Sequence, residues 1–172
     1  GVPRCADCGH VIKPDVVLVC DHLEAKDGQS HRYQARWQVN DTALREPIAG
    51  HPALITQRAG KRNLLVAPLL SDGLSSRWVS AQTEPEVLGW YVIKDAGPYR
   101  PAATVCHERE GAGTQIMLTL FMPLAADTPC PVSAISQDSP RQATVAFSDG
   151  RQLVVTAPQT ADERMLFAII NP

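Results

Sequence analysis

Residues Asp15–Val39 read DVVLVCDHLEAKDGQSHRYQARWQV, and this stretch decides the fold class. Its first half, Val16–Leu23, is a nearly unbroken apolar run, which is typical of a strand buried on both faces. Its second half, His31–Val39, alternates with a period of two, so successive side chains point to opposite sides of a pleated backbone. The connection contains Asp27-Gly28, which can turn with positive φ at low cost. We therefore expect a long antiparallel pair of strands.

The second of these strands has two chemically different faces. One face carries apolar and aromatic side chains, namely Tyr33, Ala35, Trp37 and Val39. The other carries polar and cationic side chains, namely Arg32, Gln34, Arg36 and Gln38. Because antiparallel sheets commonly bury one face and solvate the other, we interpret Trp37 as a core residue.

Strand candidates continue along the chain and are separated by turn residues. They are Ala53–Arg58, Asn63–Leu70, Arg77–Gln82, Val87–Ile93, Ala103–Glu108 and Thr114–Met122, with a final buried strand expected at Met165–Ile170. Pro68 removes a ladder donor, so its strand ends there, bulges or lies at an edge. Fourteen prolines and eleven glycines interrupt the chain too often for long helices, which leaves a short helical turn near Thr160–Arg164 as a candidate. The sequence predicts one all-β domain over residues 1–172, an antiparallel β-sandwich.

One hairpin in the last third depends on the length of its loop. Arg141–Phe147 and Gln152–Ala157 both alternate, and a two-residue loop at Asp149-Gly150 would put their apolar sets on opposite faces. A three-residue loop that also includes Ser148 puts the apolar sets on one face, pairing Val145 with Leu153 and Ala143 with Val155. We favour this second register, in which Gly150 takes the left-handed bulge position.

Composition limits the function classes. The net charge of −2 argues against a nucleic-acid partner, because phosphate binding needs a basic surface. The sequence has no apolar run of about 18 residues and no signal-peptide pattern, so no membrane span is expected. Its five cysteines, an odd number, do not suggest a disulfide framework. Since Gly1 directly precedes what looks like the middle of a domain, we expect a C-terminal fragment of a longer protein.

Cys5, Cys8 and His10 form the motif that first suggests a metal site. Two thiolates and an imidazole at this spacing could bind zinc, but a structural zinc site needs four ligands and no second half-motif follows. The alternative, which we favour, is a turn that leads into the first strand. We therefore expect no metal site and no cofactor in this chain.

His31, Arg32 and Arg36 are the candidate substrate-binding residues. They lie near or on the polar face of the second strand, and arginine can form paired hydrogen bonds with a carboxylate or sulfate of an acidic polysaccharide. The alternative is an ordinary solvated strand face, which is the commoner case. Of the other candidates, Trp90 and Tyr91 point to opposite sides of one strand, so one should be buried and the other exposed. Asp21 lies within an apolar strand and needs a partner, and a structural ion pair is the simplest explanation.

The series KPDVVLVCDHLEAKDGQSHRYQARWQV resembles the C-terminal domain of heparinase II/III-like polysaccharide lyases. The matching residues are Val17–Leu23, followed by His31, Tyr33 and Trp37. Gly89-Trp90-Tyr91 with Pro98–Pro101, and then TQIMLTLFMP (Thr114–Pro123), resemble the same domain. The resemblance covers about Pro14–Pro123 and rests on degenerate strand patterns.

The resemblance implies a multilayered antiparallel β-sandwich that follows a helical toroid in the same chain. It also implies a periplasmic or secreted lyase that cleaves uronic-acid polysaccharides, such as heparan sulfate or alginate, by β-elimination. The family's catalytic groups and its zinc-binding cluster lie mostly upstream of the residues matched here, so no catalytic residue is carried over and zinc is expected only in the full-length protein. Gln38 departs from the family, because many members have histidine there. We expect this fragment to be inactive alone, and the main alternative is a stand-alone carbohydrate-binding or cell-surface module.

Overall fold

The structure is a computed structural model that describes residues 16–92 and 98–172 in full and residues 10–12 by their backbone. The described residues contain no helix and form fifteen strands. These are β1 (His10–Ile12), β2 (Val16–Glu24), β3 (Ser30–Val39), β4 (Leu44–Arg45), β5 (Leu54–Thr56), β6 (Asn63–Pro68), β7 (Leu74–Ser80), β8 (Trp90–Val92), β9 (Tyr99–Pro101), β10 (Ala103–Ala112), β11 (Thr114–Leu124), β12 (Val132–Ser139), β13 (Gln142–Phe147), β14 (Gln152–Thr156) and β15 (Leu166–Ile170).

The strands form three stacked layers and a small ribbon. The central layer is a six-stranded sheet in the order β1-β2-β11-β6-β5-β4. A three-stranded sheet, β3-β10-β7, covers one face of it, and a four-stranded sheet, β12-β13-β14-β15, covers the other. The ribbon β8-β9 lies beside them. All the pairings are antiparallel, which confirms the predicted multilayered antiparallel β-sandwich.

The central sheet is buried on both faces because its strands are apolar on both sides. On β6, Leu65 and Ala67 belong to the cluster shared with the four-stranded sheet. Val66, between them, belongs to the cluster shared with the three-stranded sheet. Successive residues of one strand therefore serve two different cores, as the alternation of a pleated strand requires.

The predicted pairing of the two opening strands is wrong. β2 pairs with β11 in the central sheet, whereas β3 pairs with β10 in the three-stranded sheet, so the chain crosses from one layer to the other between them. The β10–β11 connection makes the same crossing at Gly113, whose carbonyl accepts hydrogen bonds from Ala25 N and the Tyr33 hydroxyl. The two strands joined by the first crossing, β2 and β3, therefore pair with the two strands joined by the second, β11 and β10. The alternation of β3 correctly predicts which of its side chains share a face. It does not identify the strand with which β3 pairs, because that strand lies far away in the sequence.

The β13–β14 hairpin confirms the predicted register. Val145 lies opposite Leu153 and Ala143 opposite Val155. Gly150 has φ +88°, and its amide donates to the Phe147 carbonyl, so the three-residue loop and its left-handed glycine are both present.

The last strand contradicts the prediction. β15 exists, but every one of its residues is exposed, and only the preceding Met165 is buried. It lies at the edge of its sheet, where β14 covers one side and no described strand covers the other. Four further strands were not predicted, and three of them are very short: β1, β4, β9 and β12.

Near Thr160 the structure has a hydrogen-bonded turn in place of a helix, closed by the Glu163 amide and the Thr160 carbonyl. β6 ends at Pro68, as the missing ladder donor predicted. Across the described part of the chain, no helix is long and apolar enough to cross a bilayer.

Candidate functional site

The polar face of β3 forms part of the outer surface of the three-stranded sheet. Register places Arg36 opposite Cys106 of β10, and Cys106 opposite Arg77 of β7. Glu108 lies two residues along β10 and therefore shares this side. We call this surface the arginine face, defined by Arg32, Gln34, Arg36, Arg77, Cys106 and Glu108.

Glu108 is the centre of the arginine face. One carboxylate oxygen lies 2.5 Å from Arg32 Nη2, and the other accepts a hydrogen bond from Gln34 Nε2 and lies 3.4 Å from Arg77 Nε. The Glu108 side chain is only 14% exposed, whereas both arginines are about half exposed. A fixed carboxylate thus holds guanidinium groups from β3 and β7 on one solvent-facing surface.

Arg36 has a second acidic partner outside the sheet. Its Nε and Nη2 atoms donate to Gln34 Oε1, and Nη2 also lies 2.7 Å from Glu86 Oε2. Glu86 belongs to the loop between β7 and β8, and its side chain is 53% exposed. The counterion of Arg36 is therefore an exposed glutamate on a loop, whereas the carboxylate of Glu108 is shielded from solvent.

Gly89 fixes the path of that loop against the sheet. A Cβ at Gly89 would lie 2.6 Å from Ser80 Cα and 2.7 Å from the Val79 carbonyl oxygen, so only glycine fits. Its φ is +76°, and its amide donates to Thr104 Oγ1, which in turn donates to Gln38 Oε1. This anchor holds the loop that carries Glu86 over one end of the arginine face.

His31 does not join the other two predicted substrate-binding residues. It shares the strand parity of Tyr33, whose ring it meets edge-on at 6.4 Å, and it hydrogen-bonds Asp27 at 2.9 Å. That hydrogen bond lowers the pKa of Asp27. The structure therefore brings Arg32 and Arg36 together on one face and places His31 on the other side of β3, where it contacts Asp27 of the preceding turn.

Cys106 lies in the middle of the arginine face but is fully buried. Burial raises the pKa of its thiol, although Arg77 and Arg36 act in the opposite direction. A nucleophilic cysteine needs an accessible thiolate, so Cys106 is a packing residue.

An open cleft of about 310 Å³ adjoins Glu108 and Arg32. Arg109 lines it together with Gly73, Ser75 and Glu110. The Arg109 guanidinium donates to the carbonyls of Ile116, Leu70 and Asp72, and so ties β10 to β11 and to the 70–72 turn. Arg109 thus shapes the wall of the cleft, whose lining also includes Arg32, Glu108 and Glu110.

Two histidines are buried near a second cleft of about 520 Å³, whose lining includes His51, Glu46 and Asp72. His107 hydrogen-bonds Ser76 Oγ through Nδ1 at 3.0 Å, and His51 Nδ1 accepts from the Ala53 amide. Burial, and secondarily the positive charge of His51, lowers the pKa of His107 to about 4, and burial also lowers the pKa of His51.

The Ser76–His107 contact resembles a nucleophile and its general base. A working pair needs a third group to orient the imidazole and an accessible hydroxyl. His107 Nε2 has no hydrogen-bond partner, and the ring is 1% exposed, so nothing orients it from the other side. We interpret the pair as part of the packing between layers.

The aromatic predictions have a clear outcome. Trp37 packs against Phe121 with ring centroids 4.8 Å apart, which confirms it as a core residue. Trp90 is partly buried, and its indole nitrogen donates to the Gln82 carbonyl, whereas Tyr91 is 40% exposed. Asp21 is partly buried on β2.

In the part of the chain that the structure describes, no group of three or more histidine, cysteine or acidic side chains could hold a metal ion. The candidate motif of Cys5, Cys8 and His10 lies outside the residues whose side chains are described. Its interpretation stays a prediction.

Arg77, Glu86 and Glu108 were missed by reasoning from the sequence. The run Cys106–Glu110 does contain a signal, because its alternation puts Glu108 and Glu110 on one side of a strand. An acidic strip of this kind matches the cationic strip on β3, but only the pairing of β3 with β10 brings them together.

A comparison of the chain with protein-family models, with curated proteins and with solved structures finds no match.

Proposed function

We propose that this chain is the β-sandwich of a heparinase II/III-like polysaccharide lyase, and that its own part is to bind the acidic polysaccharide and to support a toroid domain of the same protein. The observation that carries the proposal is the arginine face. Arg32, Arg36 and Arg77 place three guanidinium groups on one solvent-facing sheet surface beside an open cleft.

The chemistry of this surface suits a uronic acid. A guanidinium binds a carboxylate or a sulfate through two parallel hydrogen bonds, and it is never deprotonated at neutral pH. The carboxylate of Glu86 occupies the position beside the Arg36 guanidinium where such an anion would bind. Both side chains are substantially exposed. A uronate carboxylate has the same chemistry as Glu86 and can take its place, whereas the shielded Glu108 keeps Arg32 and Arg77 oriented.

The fold supports the same proposal. The resemblance implies a multilayered antiparallel sandwich, and the chain has three such layers. Two of the segments that carry the resemblance lie in the central six-stranded sheet: Val17–Leu23 belongs to β2, and Thr114–Pro123 belongs to β11. Tyr33 and Trp37 point from β3 towards the central sheet, and the Tyr33 hydroxyl fastens the crossing at Gly113.

The binding test uses heparan sulfate and alginate oligosaccharides with isothermal titration calorimetry at low and at physiological salt. We expect weak binding that declines as salt is added, because exposed charges are screened. Arg36→Gln and Arg77→Gln should each weaken binding several-fold, whereas Arg62→Gln, an exposed arginine in the turn before β6, should leave it unchanged. Equal losses from all three variants, or the absence of binding at low salt, would contradict the proposal.

A second measurement addresses catalysis. The resemblance implies that the family's catalytic groups lie mostly in the toroid and in the early part of the sandwich, upstream of the residues matched here. The chain alone should therefore not raise the ultraviolet absorbance that an unsaturated uronate produces. Appearance of that absorbance with any uronic-acid polymer would show that the catalytic site lies within this chain.

The alternative function, a stand-alone carbohydrate-binding module, is favoured by a different observation. Trp78, Tyr91 and Tyr99 are 39%, 40% and 69% exposed, and aromatic rings of this kind can stack on sugars. Binding of a neutral glycan that is lost on Tyr91→Ala or Tyr99→Ala, but kept on Arg36→Gln, would support this function over the first.

A further inference from the structure

The central strand of the three-stranded sheet is covered on the side that carries the arginine face. Thr104, Cys106 and Glu108 alternate with the inward-facing residues of β10, so all three point to this outer side. Thr104 is 4% exposed, Cys106 is 0% exposed and the Glu108 side chain is 14% exposed. An outer sheet face that is open to solvent normally has exposed side chains at such positions. The middle of the arginine face therefore lies beneath other parts of the molecule.

The loop between β7 and β8 provides part of this cover. Gly89 lies over Thr104, whose hydroxyl oxygen accepts a hydrogen bond from the Gly89 amide at 3.0 Å. Two backbone hydrogen bonds between Gln82 and Leu88 close the base of the loop. Residues 83–87, between them, are all exposed. The loop thus has a base that is fixed on the sheet and a tip that is exposed to solvent.

Glu86 reaches from this tip to Arg36. Its Oε2 lies 2.7 Å from Arg36 Nη2, and the two side chains are 53% and 38% exposed. From the strand side, Gln34 Oε1 accepts hydrogen bonds from Nε and Nη2 of the same guanidinium. Gln34 therefore holds the guanidinium in place, whereas Glu86 supplies the negative charge that faces it from the loop. An ion pair with this exposure contributes little free energy, so another anion can replace its acidic member.

We propose that Glu86 is a built-in competitor for the anion-binding position at Arg36, and that a carboxylate or sulfate group of the ligand displaces it when the ligand binds. This inference deepens the proposed function and rests on it. Because backbone hydrogen bonds hold the base of the loop, the Glu86 side chain can turn away while the base stays in place. The apparent affinity is then the intrinsic affinity multiplied by the fraction of molecules in which Arg36 is free of Glu86.

The two glutamates of this surface therefore have different roles. Glu108 is shielded from solvent and is held by Arg32, Gln34 and Arg77, so a ligand does not displace it. Glu86 is exposed and holds its arginine only weakly. We expect Glu86 to lower the apparent affinity for an anionic ligand about three- to fivefold, which is the factor that a weak exposed ion pair supplies.

The test measures the affinity for an alginate oligosaccharide by isothermal titration calorimetry at low salt. Glu86→Gln should bind about three- to fivefold more tightly than the unmodified chain, because the amide carries no charge to compete with the ligand. The matched control is Glu84→Gln, which removes one negative charge from the same exposed tip. Among the ion pairs of the described residues, Glu84 belongs to none, so this variant should change the affinity less than about twofold.

Two further backgrounds show whether the gain acts through Arg36. In Arg36→Gln, the gain from Glu86→Gln should disappear, because the competitor has lost the group for which it competes. In Arg77→Gln, the gain should persist, because the acidic partner of Arg77 is Glu108. A general effect of lowering the negative charge of the loop would instead appear in both backgrounds.

Near-ultraviolet circular dichroism checks that each variant is folded. The competitor is overturned, and the proposed function is left standing, if the chain binds the oligosaccharide but Glu86→Gln binds no more tightly than Glu84→Gln. A gain that persists in Arg36→Gln has the same meaning. Absence of binding at low salt, in the unmodified chain and in every variant, would contradict the competitor and the proposed function together.

Discussion

The two interfaces of the central sheet differ in chemistry. Towards the four-stranded sheet, the core is a large and fully apolar cluster that includes Leu65, Leu120 and Val145, each at 0% exposure. Towards the three-stranded sheet, the apolar cluster is small, and the same layer carries the buried imidazole of His107 and the partly buried guanidinium of Arg109. One interface is lined by apolar side chains, and the other also carries ionisable groups.

This difference separates stability from chemistry. Burial of apolar area is the main favourable contribution to folding, so the apolar interface should contribute most of the stability. Burial of ionisable groups is costly unless they are neutral or hydrogen-bonded, so the polar interface should make the fold sensitive to pH. The exposed side of the polar layer is also where the arginine face lies.

The largest expected effect is acid destabilisation through His107. Its pKa in the folded chain is about 4, below the ordinary value of 6.5, so the unfolded chain binds more protons between these two values. The free energy of unfolding is therefore highest above pH 6.5 and falls as the pH drops towards 4, by roughly 3 kcal/mol. His51, whose pKa is also lowered, acts in the same direction.

The measurement is urea unfolding from pH 7.5 to 4 for the unmodified chain and for His107→Gln. In the variant, the free energy of unfolding should depend much less on pH between pH 6.5 and 4, even if its value at neutral pH is lower. His31→Gln removes an exposed histidine as a control and should keep the slope. An unchanged slope in His107→Gln would mean that the polar interface does not set the acid response.

A pair of identical substitutions compares the two interfaces directly. Val145 and Val105 are both at 0% exposure on inner strands of the two outer layers. Val145→Ala should cost about 2–3 kcal/mol, because the large apolar cluster around it cannot collapse onto the cavity. Val105→Ala should cost less, about 1–2 kcal/mol, because its cluster is small and its neighbours are partly exposed. Denaturant unfolding of both variants measures the difference, and equal losses would remove the distinction between the interfaces.

The smallest effect is expected on the arginine face. Arg32→Gln should change the free energy of unfolding by less than about 1 kcal/mol, because ion pairs with exposed arginines contribute little. Thermal unfolding at neutral pH checks this. A loss of more than 2 kcal/mol would assign the arginine face to structure, and its arginines would then be poor evidence for a ligand.

Much of the fold could be predicted from local patterns. Alternation along His31–Val39 gave the correct inner and outer faces of β3, and the loop at Gly150 gave the correct register of β13 with β14. These features depend on neighbours in sequence, such as the period of a strand and the φ that a three-residue loop requires. Long-range pairing could not be predicted in this way, and the expected β2–β3 pair proved to belong to two different sheets.

The candidate site shows the same division. Arg32 and Arg36 were identified as a cationic strip from β3 alone, but Arg77, Glu86 and Glu108 were not associated with them. The side chain of His31 was grouped with the strip, although the pleat turns it to the side of Tyr33. A strand pattern tells which side chains share a side, whereas the acidic partners of Arg32, Arg36 and Arg77 lie 76, 50 and 31 residues further along the chain.

The sequence by itself determined the fold class, most of the longer strands and the residues that line the cores. Hydrophobic alternation, proline and glycine fix these locally, because each strand must bury its apolar side wherever it pairs. Only the tertiary structure decided which layer each strand joins, which charges meet, and that the apolar strand β15 comes last in the order of its sheet, with its residues exposed. Those outcomes depend on competition among many strands of similar pattern for a limited number of neighbours, and that competition is settled by packing of the whole chain.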